Sequence, residues 1–374
     1  METRNKHGFV RKALLTGLLG LGSFAFAGCS VQAPGGPIGK FLRMGWPEGI
    51  TPEAHEMGNF WVWTWVVAWI VGIIMWGLFF WCLFRFSAKR QERLGKGEFP
   101  RQTGYNIGLE LVLTCVPVLI VMGLFFFSTQ TQDQATALDK DPKVTVDVTA
   151  FQWNWKFGYG AVDASLSPTG TNYDGTDEAR TEAASDNSDY DSFVEGTEEK
   201  ETVGTGAVNG RSKSDLSYLR YNKIETLGTT SEIPVLVLPS HTAIEFDLAA
   251  ADVVHSFWVP EFLFKRDVFP YPEENKSQRR FQITEIEKEG AFVGRCAEMC
   301  GTYHAMMNFE IRVVSPEKFT EYLKFRMDNP NATNSEALAS IGEAPYATST
   351  SPFKSDRTGT RSIKDGDNVV DLNS

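Results

Sequence analysis

Five side chains in the second half of the chain could bind soft metal ions. Cys296 and Cys300 supply two thiols, His304 an imidazole and Met307 a thioether, all within twelve residues. A second histidine, His255, lies upstream in the segment Asp-Val-Val-His-Ser. Two Cys, two His and one Met form a ligand set that suits copper.

Other sites would use part of the same set. A disulfide between Cys296 and Cys300 fits an exported domain, but it leaves both histidines and Met307 without a role. A structural zinc site would use the two Cys and the two His, yet zinc has no use for Met307. A single blue-copper ion needs only one Cys beside two His and a weak axial Met. The second Cys therefore favours two copper ions, bridged by two thiolates and each terminated by one His.

Short strands separated by Pro, Ser and Gly turns must position these residues. Alternation of apolar and polar side chains predicts an all-β sandwich or barrel domain over 131–315. A short helix is predicted at Pro316–Met327. The predicted strands are Val144–Thr149, Ile233–Leu238, Ala243–Leu248, Arg280–Ile286, Ala291–Arg295 and Asn308–Val314.

Two apolar stretches before this domain predict a transmembrane α-hairpin over 59–130. Phe60–Phe84 and about Ile107–Ser128 are each long enough to cross the hydrocarbon core. The loop 85–106 contains six Lys and Arg against two Glu. The positive-inside rule places this loop in the cytoplasm and the β domain outside the cell membrane.

The N-terminus predicts export. A basic head followed by a short apolar run is typical of a signal peptide over 1–28. The run ends in Phe-Ala-Gly before Cys29, which resembles a bacterial lipoprotein box and implies cleavage before Cys29 and lipid attachment to its thiol. Residues 29–58 would then be an external segment.

Two polar regions flank or interrupt the β domain. An acidic stretch at about 160–215 is poor in apolar residues, which predicts a mobile insert. A polar, mobile tail is expected after about Asn329, within the C-terminal region 316–374. The net charge of −11 argues against nucleic-acid binding and favours a basic partner.

The motif Cys-x-Glu-x-Cys-x-x-x-His-x-x-Met, with Asp-Val-x-His-Ser upstream, resembles the copper A site of cytochrome c oxidase subunit II. The resemblance implies a cupredoxin-like domain holding a dinuclear copper A centre. Cys296 and Cys300 would bridge the coppers, His255 and His304 would each bind one, and Met307, not Met306, would be the axial ligand. The resemblance also implies that Glu298 gives its backbone carbonyl to copper. With Asp267, the Glu298 side chain would bind magnesium or manganese at the boundary with subunit I.

Two further positions resemble functional residues of the family. Trp153, in Phe-Gln-Trp-Asn-Trp, matches the tryptophan through which electrons enter, although Asn154 replaces the usual Tyr. Glu110 precedes Pro117 by seven residues, as does the family glutamate at the entrance of a proton-uptake channel. The family's Trp between them is Leu113 here.

The function implied is that of a subunit in a respiratory oxidase with subunits I and III. The chain would accept electrons from cytochrome c and pass them to a haem in subunit I, where oxygen is reduced to water with proton translocation. The acidic insert and lipoprotein-like start resemble actinobacterial members, whose donor is the tethered cytochrome of a bc complex. The alternatives are a copper-less quinol oxidase subunit II and a membrane-anchored copper-delivery protein.

Overall fold

A computed structural model describes residues 32–96, 104–185 and 216–352. These residues divide into two compact units. One contains the chain up to Trp46 together with Glu56–Gln134, and the other contains Pro47–His55 and the chain from Ala135 onward. The predicted signal peptide, Cys29, positions 97–103 of the loop, positions 186–215 of the insert and the last part of the tail lie outside the described residues.

The first unit is helical. Two of its helices are long and apolar enough to cross a membrane, and they contain the two predicted spans. At about 1.5 Å per residue, each helix is longer than the roughly 30 Å hydrocarbon core of a bilayer. Pro117 lies inside the second of them. The helices are α1 (Gly36–Leu42), α2 (Pro52–Arg85), α3 (Ala88–Arg93) and α4 (Ile107–Thr136).

The second unit contains two β-sheets. The larger has the strand order β3-β2-β1-β6-β9, with β4 also beside β2. Strand β1 is antiparallel to β2 and parallel to β6. The strands of this sheet are β1 (Val144–Phe151), β2 (Asn154–Val162), β3 (Tyr173–Asp174), β4 (Glu225–Leu227), β6 (Ile244–Ala250) and β9 (Arg280–Ile283).

The smaller sheet holds the strands next to the candidate ligands. Its order is β5-β11-β10-β7-β8, in which β10 is antiparallel to both β11 and β7. Its strands are β5 (Val235–Pro239), β7 (His255–Val259), β8 (Phe264–Val268), β10 (Gly290–Cys296) and β11 (Asn308–Val314).

Aromatic side chains from both sheets fill the space between them. Phe246 of the larger sheet lies 5.3 Å, centroid to centroid, from Phe257 of the smaller one. Phe257 stacks in turn on Phe309, and Trp155 contacts Phe309 edge to face. All four side chains are buried, so the predicted sandwich has one shared core.

All six predicted strands form, but the prediction missed five others: β2, β3, β4, β7 and β8. Strand β2 has five consecutive buried residues, Trp155–Tyr159, so it lacks the alternation that reveals a half-buried strand. The described part of the insert is also more structured than expected. It contains β3 and a helix, α5 (Glu178–Ser185), so the expectation of a mobile loop from 160 onward is wrong for this part.

The C-terminal region begins as predicted and then departs from the prediction. Helix α6 (Pro316–Asp328) begins at Ser315, whose hydroxyl accepts from the N–H of Lys318. A second helix, α7 (Asn334–Ser340), follows with a capping box formed by Thr333 and Glu336. It buries Leu338. The tail expected to be mobile from Asn329 therefore forms structure up to 352, because it contains apolar residues that the sandwich can bury.

Candidate metal centre

Neighbouring strands bring the two halves of the predicted site together. His255 is the first residue of β7, Cys296 is the last of β10, and Cys296 pairs with Phe257 in the register of these strands. The loop 297–307 then connects β10 to β11. Ligands that are far apart in sequence thus meet at one end of the smaller sheet.

Three of the predicted ligands form a tight buried cluster. The Sγ atoms of Cys296 and Cys300 are 3.8 Å apart, and Nδ1 of His255 is 3.9 Å from Sγ of Cys296. The ligand atoms of these three residues all lie within 4.8 Å of one another. Their burial excludes bulk water from any ion that they hold.

The remaining two ligands lie against the second cysteine. Nδ1 of His304 is 3.5 Å and Sδ of Met307 is 3.9 Å from Sγ of Cys300. A single 3₁₀ turn, His304–Met306, turns the chain between them. Met307 is only 1% exposed, whereas the side chain of Met306 is half-buried. This difference supports the assignment of Met307 over Met306.

Hydrogen bonds from one segment of the larger sheet hold the ligand loop. The carbonyl oxygen of Cys300 accepts from the side-chain amide of Gln152 at 2.7 Å and from the indole N–H of Trp153 at 3.1 Å. Gly301 follows with φ of +120°, where a Cβ atom would be 3.2 Å from the Trp153 ring. A glycine is therefore needed at 301 both for its backbone angle and for the close approach of the indole.

A carboxylate orients the first histidine. Nε2 of His255 lies 2.9 Å from Oδ1 of Asp252, and the other oxygen of Asp252 accepts from the N–H of Gln152 at 2.7 Å. Because Nε2 is bound to the carboxylate, Nδ1 is the nitrogen left to face the sulfurs. Burial alone would lower the pKa of His255, but Asp252 and Cys296 raise it overall.

The two thiols have different electrostatic surroundings. Burial raises the pKa of Cys296, but hydrogen bonds from His255 and from nearby backbone outweigh burial and bring it down to about 7. Burial raises the pKa of Cys300, and negative charge on Cys296 raises it further. Without a bound ion, these surroundings favour the thiolate form of Cys296, beside His255, and the thiol form of Cys300. A bound cation would favour the thiolate form of Cys300 as well, since a coordinated thiol deprotonates.

The donor set fits copper. The two thiols are unbonded and 3.8 Å apart, which is far beyond a disulfide bond of about 2.05 Å. One imidazole lies beside each sulfur, and a thioether supplies a further soft donor. A zinc site would leave that thioether unused, whereas copper accepts it.

Comparison with known proteins agrees with this chemistry. The family model described as "Cytochrome C oxidase subunit II, periplasmic domain" matches residues 215–314. Cytochrome c oxidase subunit 2 of Corynebacterium diphtheriae is 67% identical over 371 residues, covering 99% of both chains. The chain belongs to the cytochrome c oxidase subunit II family. It is therefore a subunit of a respiratory oxidoreductase complex and a membrane protein.

A more distant relative agrees in length and name. Cytochrome c oxidase subunit 2 of Mycobacterium tuberculosis is 48% identical to this subunit II chain, covering 93% of it and 90% of the relative. The solved periplasmic domain of subunit II of cytochrome oxidase from Bradyrhizobium japonicum is 22% identical, with a TM-score of 0.27. It covers 50% of this chain and 96% of that domain.

The structure does not group every residue that the subunit II motif implies. The carbonyl oxygen of Glu298 lies 3.2 Å from Sγ of Cys296, within the ligand loop. Asp267 instead pairs with Lys265 at 3.1 Å and is not in the His-Cys cluster. Glu110 is an exposed residue in the first turn of α4, where its carboxylate accepts from the N–H of Asn106. Its position thus has a local role in starting this helix.

Sequence reasoning missed three residues that support the site. Asp252 lies in the motif Asp-Val-Val-His-Ser, but the motif does not show that its carboxylate contacts the ring of His255. That contact depends on how the chain turns between the two residues. Gln152 and Trp155 act on residues about 150 positions away, so no local pattern reveals them. The sequence feature that could have indicated Gln152 and Trp155 is the cluster of aromatic and amide side chains around Trp153.

Proposed function

We propose that this chain binds two copper ions in a copper A centre and receives electrons from cytochrome c. The ligands would be Cys296, Cys300, His255, His304 and Met307, with the carbonyl of Glu298. One observation supports this above the rest: two buried thiols 3.8 Å apart, each with its own imidazole. A site for a single copper ion would not need both Cys-His pairs, Cys296 with His255 and Cys300 with His304.

Such a copper pair would supply a carrier for single electrons between cytochrome c and the haem of subunit I. The protein residues fix its surroundings. Asp252 holds the His255 ring, and the backbone N–H of Cys296 donates to the Met307 carbonyl at 3.0 Å. Rigid ligands need little rearrangement when charge changes, and their buried shell tunes the potential.

Trp153 is the proposed point at which electrons enter. Its indole is half-buried, contacts the ring of Tyr303 edge to face at 4.9 Å, and donates to the carbonyl of Cys300. The ring thus extends from the domain surface to the backbone of a ligand. A donor docked over Trp153 would be one side chain away from the site.

The membrane placement is also proposed. The basic loop 85–106 would face the cytoplasm and the copper domain the outside, with Cys29 lipidated. In the complex, Glu110 would lie at the entrance of a proton-uptake channel, beyond its local role in helix α4. Glu298 and Asp267 would share a magnesium or manganese ion with subunit I, which requires Asp267 to leave Lys265.

The proposed partners are subunits I and III and a cytochrome c, which in this lineage would be tethered to a bc complex. The acidic insert would help to dock that partner through charge. Deleting 163–201 from the oxidase tests this role. Unchanged association with the bc complex and unchanged turnover would refute it.

Copper analysis of the purified oxidase tests the central proposal. We expect two coppers attributable to this subunit and an electron paramagnetic resonance signal of one unpaired electron shared by both. Cys296→Ser and Cys300→Ser should abolish that signal while the chain still assembles. Cys82→Ser and Cys115→Ser, which alter exposed thiols of the helices, should leave it intact.

The two alternatives predict different results. A copper-less quinol oxidase subunit would contain no copper in this domain. A copper-delivery protein would bind copper without the shared-electron signal and would not copurify with a haem-containing subunit. One copper, zinc or a cystine between Cys296 and Cys300 under copper-replete growth would contradict the proposal.

A further inference from the structure

Helix α1 exposes large apolar side chains outside the sandwich. Ile38 is 64% exposed, Phe41 is 68% exposed, and Met44 just beyond the helix is 43% exposed. The two basic residues of the segment, Lys40 and Arg43, alternate with them in sequence. An apolar cluster beside basic residues is typical of segments that lie in a membrane interface.

The apolar and basic residues occupy different sides of the helix. At about 100° per residue, Phe41, Ile38 and Leu42 fall within an arc of roughly 100°, and Lys40 and Arg43 fall in the opposite half of the turn. Gly39 lies between these sides and is buried against the carbonyl of Pro34. The helix is therefore amphipathic, although it is only seven residues long.

Three contacts fix α1 at one level along the first membrane helix. The N–H of Ala33 donates to the side-chain carbonyl of Asn59 at 2.7 Å, and the Trp61 indole donates to the carbonyl of Arg43 at 2.9 Å. Trp46 stacks on Trp61 with ring centroids 4.0 Å apart and an angle of 7° between the rings. These contacts bracket α1 on both sides, so its position along α2 is set.

That level coincides with one surface of the bilayer. From Trp61 to Phe84, α2 rises about 35 Å, which is close to the thickness of the hydrocarbon core. Trp61 also begins a run of tryptophan contacts with Trp65 and Trp69. Indole rings favour the headgroup region, so the level of Trp61 is the expected membrane–water boundary.

We infer that α1 is an interfacial anchor whose Ile38 and Phe41 side chains insert into the phospholipid leaflet, with the opposite side of the helix, which includes Lys40, directed to its phosphates. The inference rests on the membrane placement of α2 under the proposed function, and it is independent of copper. A bilayer is the favoured occupant because the three contacts place the helix at its surface. Exposed apolar groups there gain burial in the acyl region, while basic side chains reach the headgroups.

Photo-crosslinking in the assembled oxidase tests this anchor. Phe41 is replaced by p-benzoylphenylalanine, a similar aromatic residue, and native membranes are irradiated before purification. We expect adducts with phospholipid acyl chains at position 41. The same probe at Lys40, on the opposite side of the helix, should give acyl adducts several-fold less often.

Two readouts separate this inference from the proposed function. The probe at Phe80, an exposed residue of α2, reports whether that helix contacts lipid, and copper content reports the metal site. Acyl adducts at 80 but protein adducts, or none, at 41 would overturn the anchor alone. No adduct at position 80 with either lipid or another subunit of the oxidase would overturn the membrane placement and the anchor with it. Loss of copper with lipid adducts at 41 would leave the anchor standing.

Discussion

The indole N–H of Trp155 donates to the carbonyl oxygen of Met307 across 3.2 Å. The backbone N–H of Cys296 donates to the same oxygen at 3.0 Å, so one carbonyl joins a buried tryptophan to both ends of the ligand loop. Trp155 is fully buried and packs edge to face on Phe309. It thereby fixes the backbone that carries the proposed axial thioether.

Trp155→Phe should loosen that backbone without removing a ligand. The change deletes one buried hydrogen bond and leaves a small cavity, at a combined cost of about 2 kcal/mol in the free energy of unfolding. We expect copper content to be retained while the copper spectrum and potential shift. Denaturant unfolding and spectroscopy of the purified subunit measure both effects.

Trp153→Phe is the matched control for that variant. It also removes a hydrogen bond from an indole N–H to the ligand loop. The indole of Trp153 is only half-buried, however, and it donates to the carbonyl of Cys300. This variant should cost less stability and mainly slow electron uptake from cytochrome c. If Trp155→Phe left the spectrum and potential unchanged, Trp155 would be a packing residue only.

The cluster of proposed metal ligands could be predicted from sequence because most of its members are close together along the chain. Four of the five occur within twelve residues, and the types of Cys296, Cys300, His304 and Met307 favour copper without any structure. The supporting residues could not be predicted. The side-chain amide of Gln152, for example, donates to the carbonyl of Cys300, 148 residues away, and only the fold brings the two together.

The same distinction explains the errors in the fold. Composition predicts disorder where apolar residues are few, but it does not reveal single hydrogen bonds between residues far apart in sequence. The described start of the insert is held by such contacts, including the N–H of Lys223 on the carbonyl of Gly175. In the C-terminal region, a few buried residues such as Leu338 and Ile341 suffice to order a mostly polar segment.

Gly301→Ala should distort the ligand loop. The backbone at 301 has φ of +120°, and the new methyl group would press on Trp153 and Gln152 at 3.2 Å. We expect a loss of about 2 kcal/mol in stability together with weaker copper binding. Gly342→Ala is the control, since Gly342 has φ of +74° but open space around it. It should cost stability and leave copper affinity unchanged, which metal titration against a competing chelator will show.

Arg312→Met should release the C-terminal segment. Arg312 and Glu310 form a buried ion pair on β11, and Arg312 also donates to the carbonyls of Ala344 and Tyr346. Removing the cation leaves a buried carboxylate, at a cost of about 3 kcal/mol. Limited proteolysis should then cut within 344–352 faster than in the parent protein.

Two further variants check that interpretation. Lys324→Ala breaks an exposed ion pair with Asp328 and should change stability by less than about 1 kcal/mol. The double change Glu310→Gln with Arg312→Met removes both buried charges, keeps an oxygen that can accept from the N–H groups of Thr348 and Ser349, and should recover part of the lost stability. If the double variant were less stable than Arg312→Met, the buried charge would not be the cause.

Asp147→Asn should stabilise the β domain near neutral pH. Burial raises the pKa of Asp147 from 3.8 to about 6, with Asp247 opposing its ionisation and a hydrogen bond from Asn222 favouring it. A raised pKa means that the folded state binds the proton more tightly than the unfolded state. The stabilising contribution is therefore complete below about pH 4 and is lost as the pH rises through 6.

The asparagine variant stays neutral at every pH and can still accept from Asn222. It should match the parent below about pH 4 and exceed its free energy of unfolding by roughly 3 kcal/mol at pH 7, because each unit of the shift from 3.8 to about 6 corresponds to about 1.4 kcal/mol. Asp163→Asn is the control, because hydrogen bonds from Ser165 lower the pKa of that exposed carboxylate and give the opposite pH trend. Denaturant unfolding of the detergent-solubilised chain at a series of pH values measures both. Parallel stability curves for Asp147→Asn and the parent would show that Asp147 has the same pKa in the folded and unfolded states.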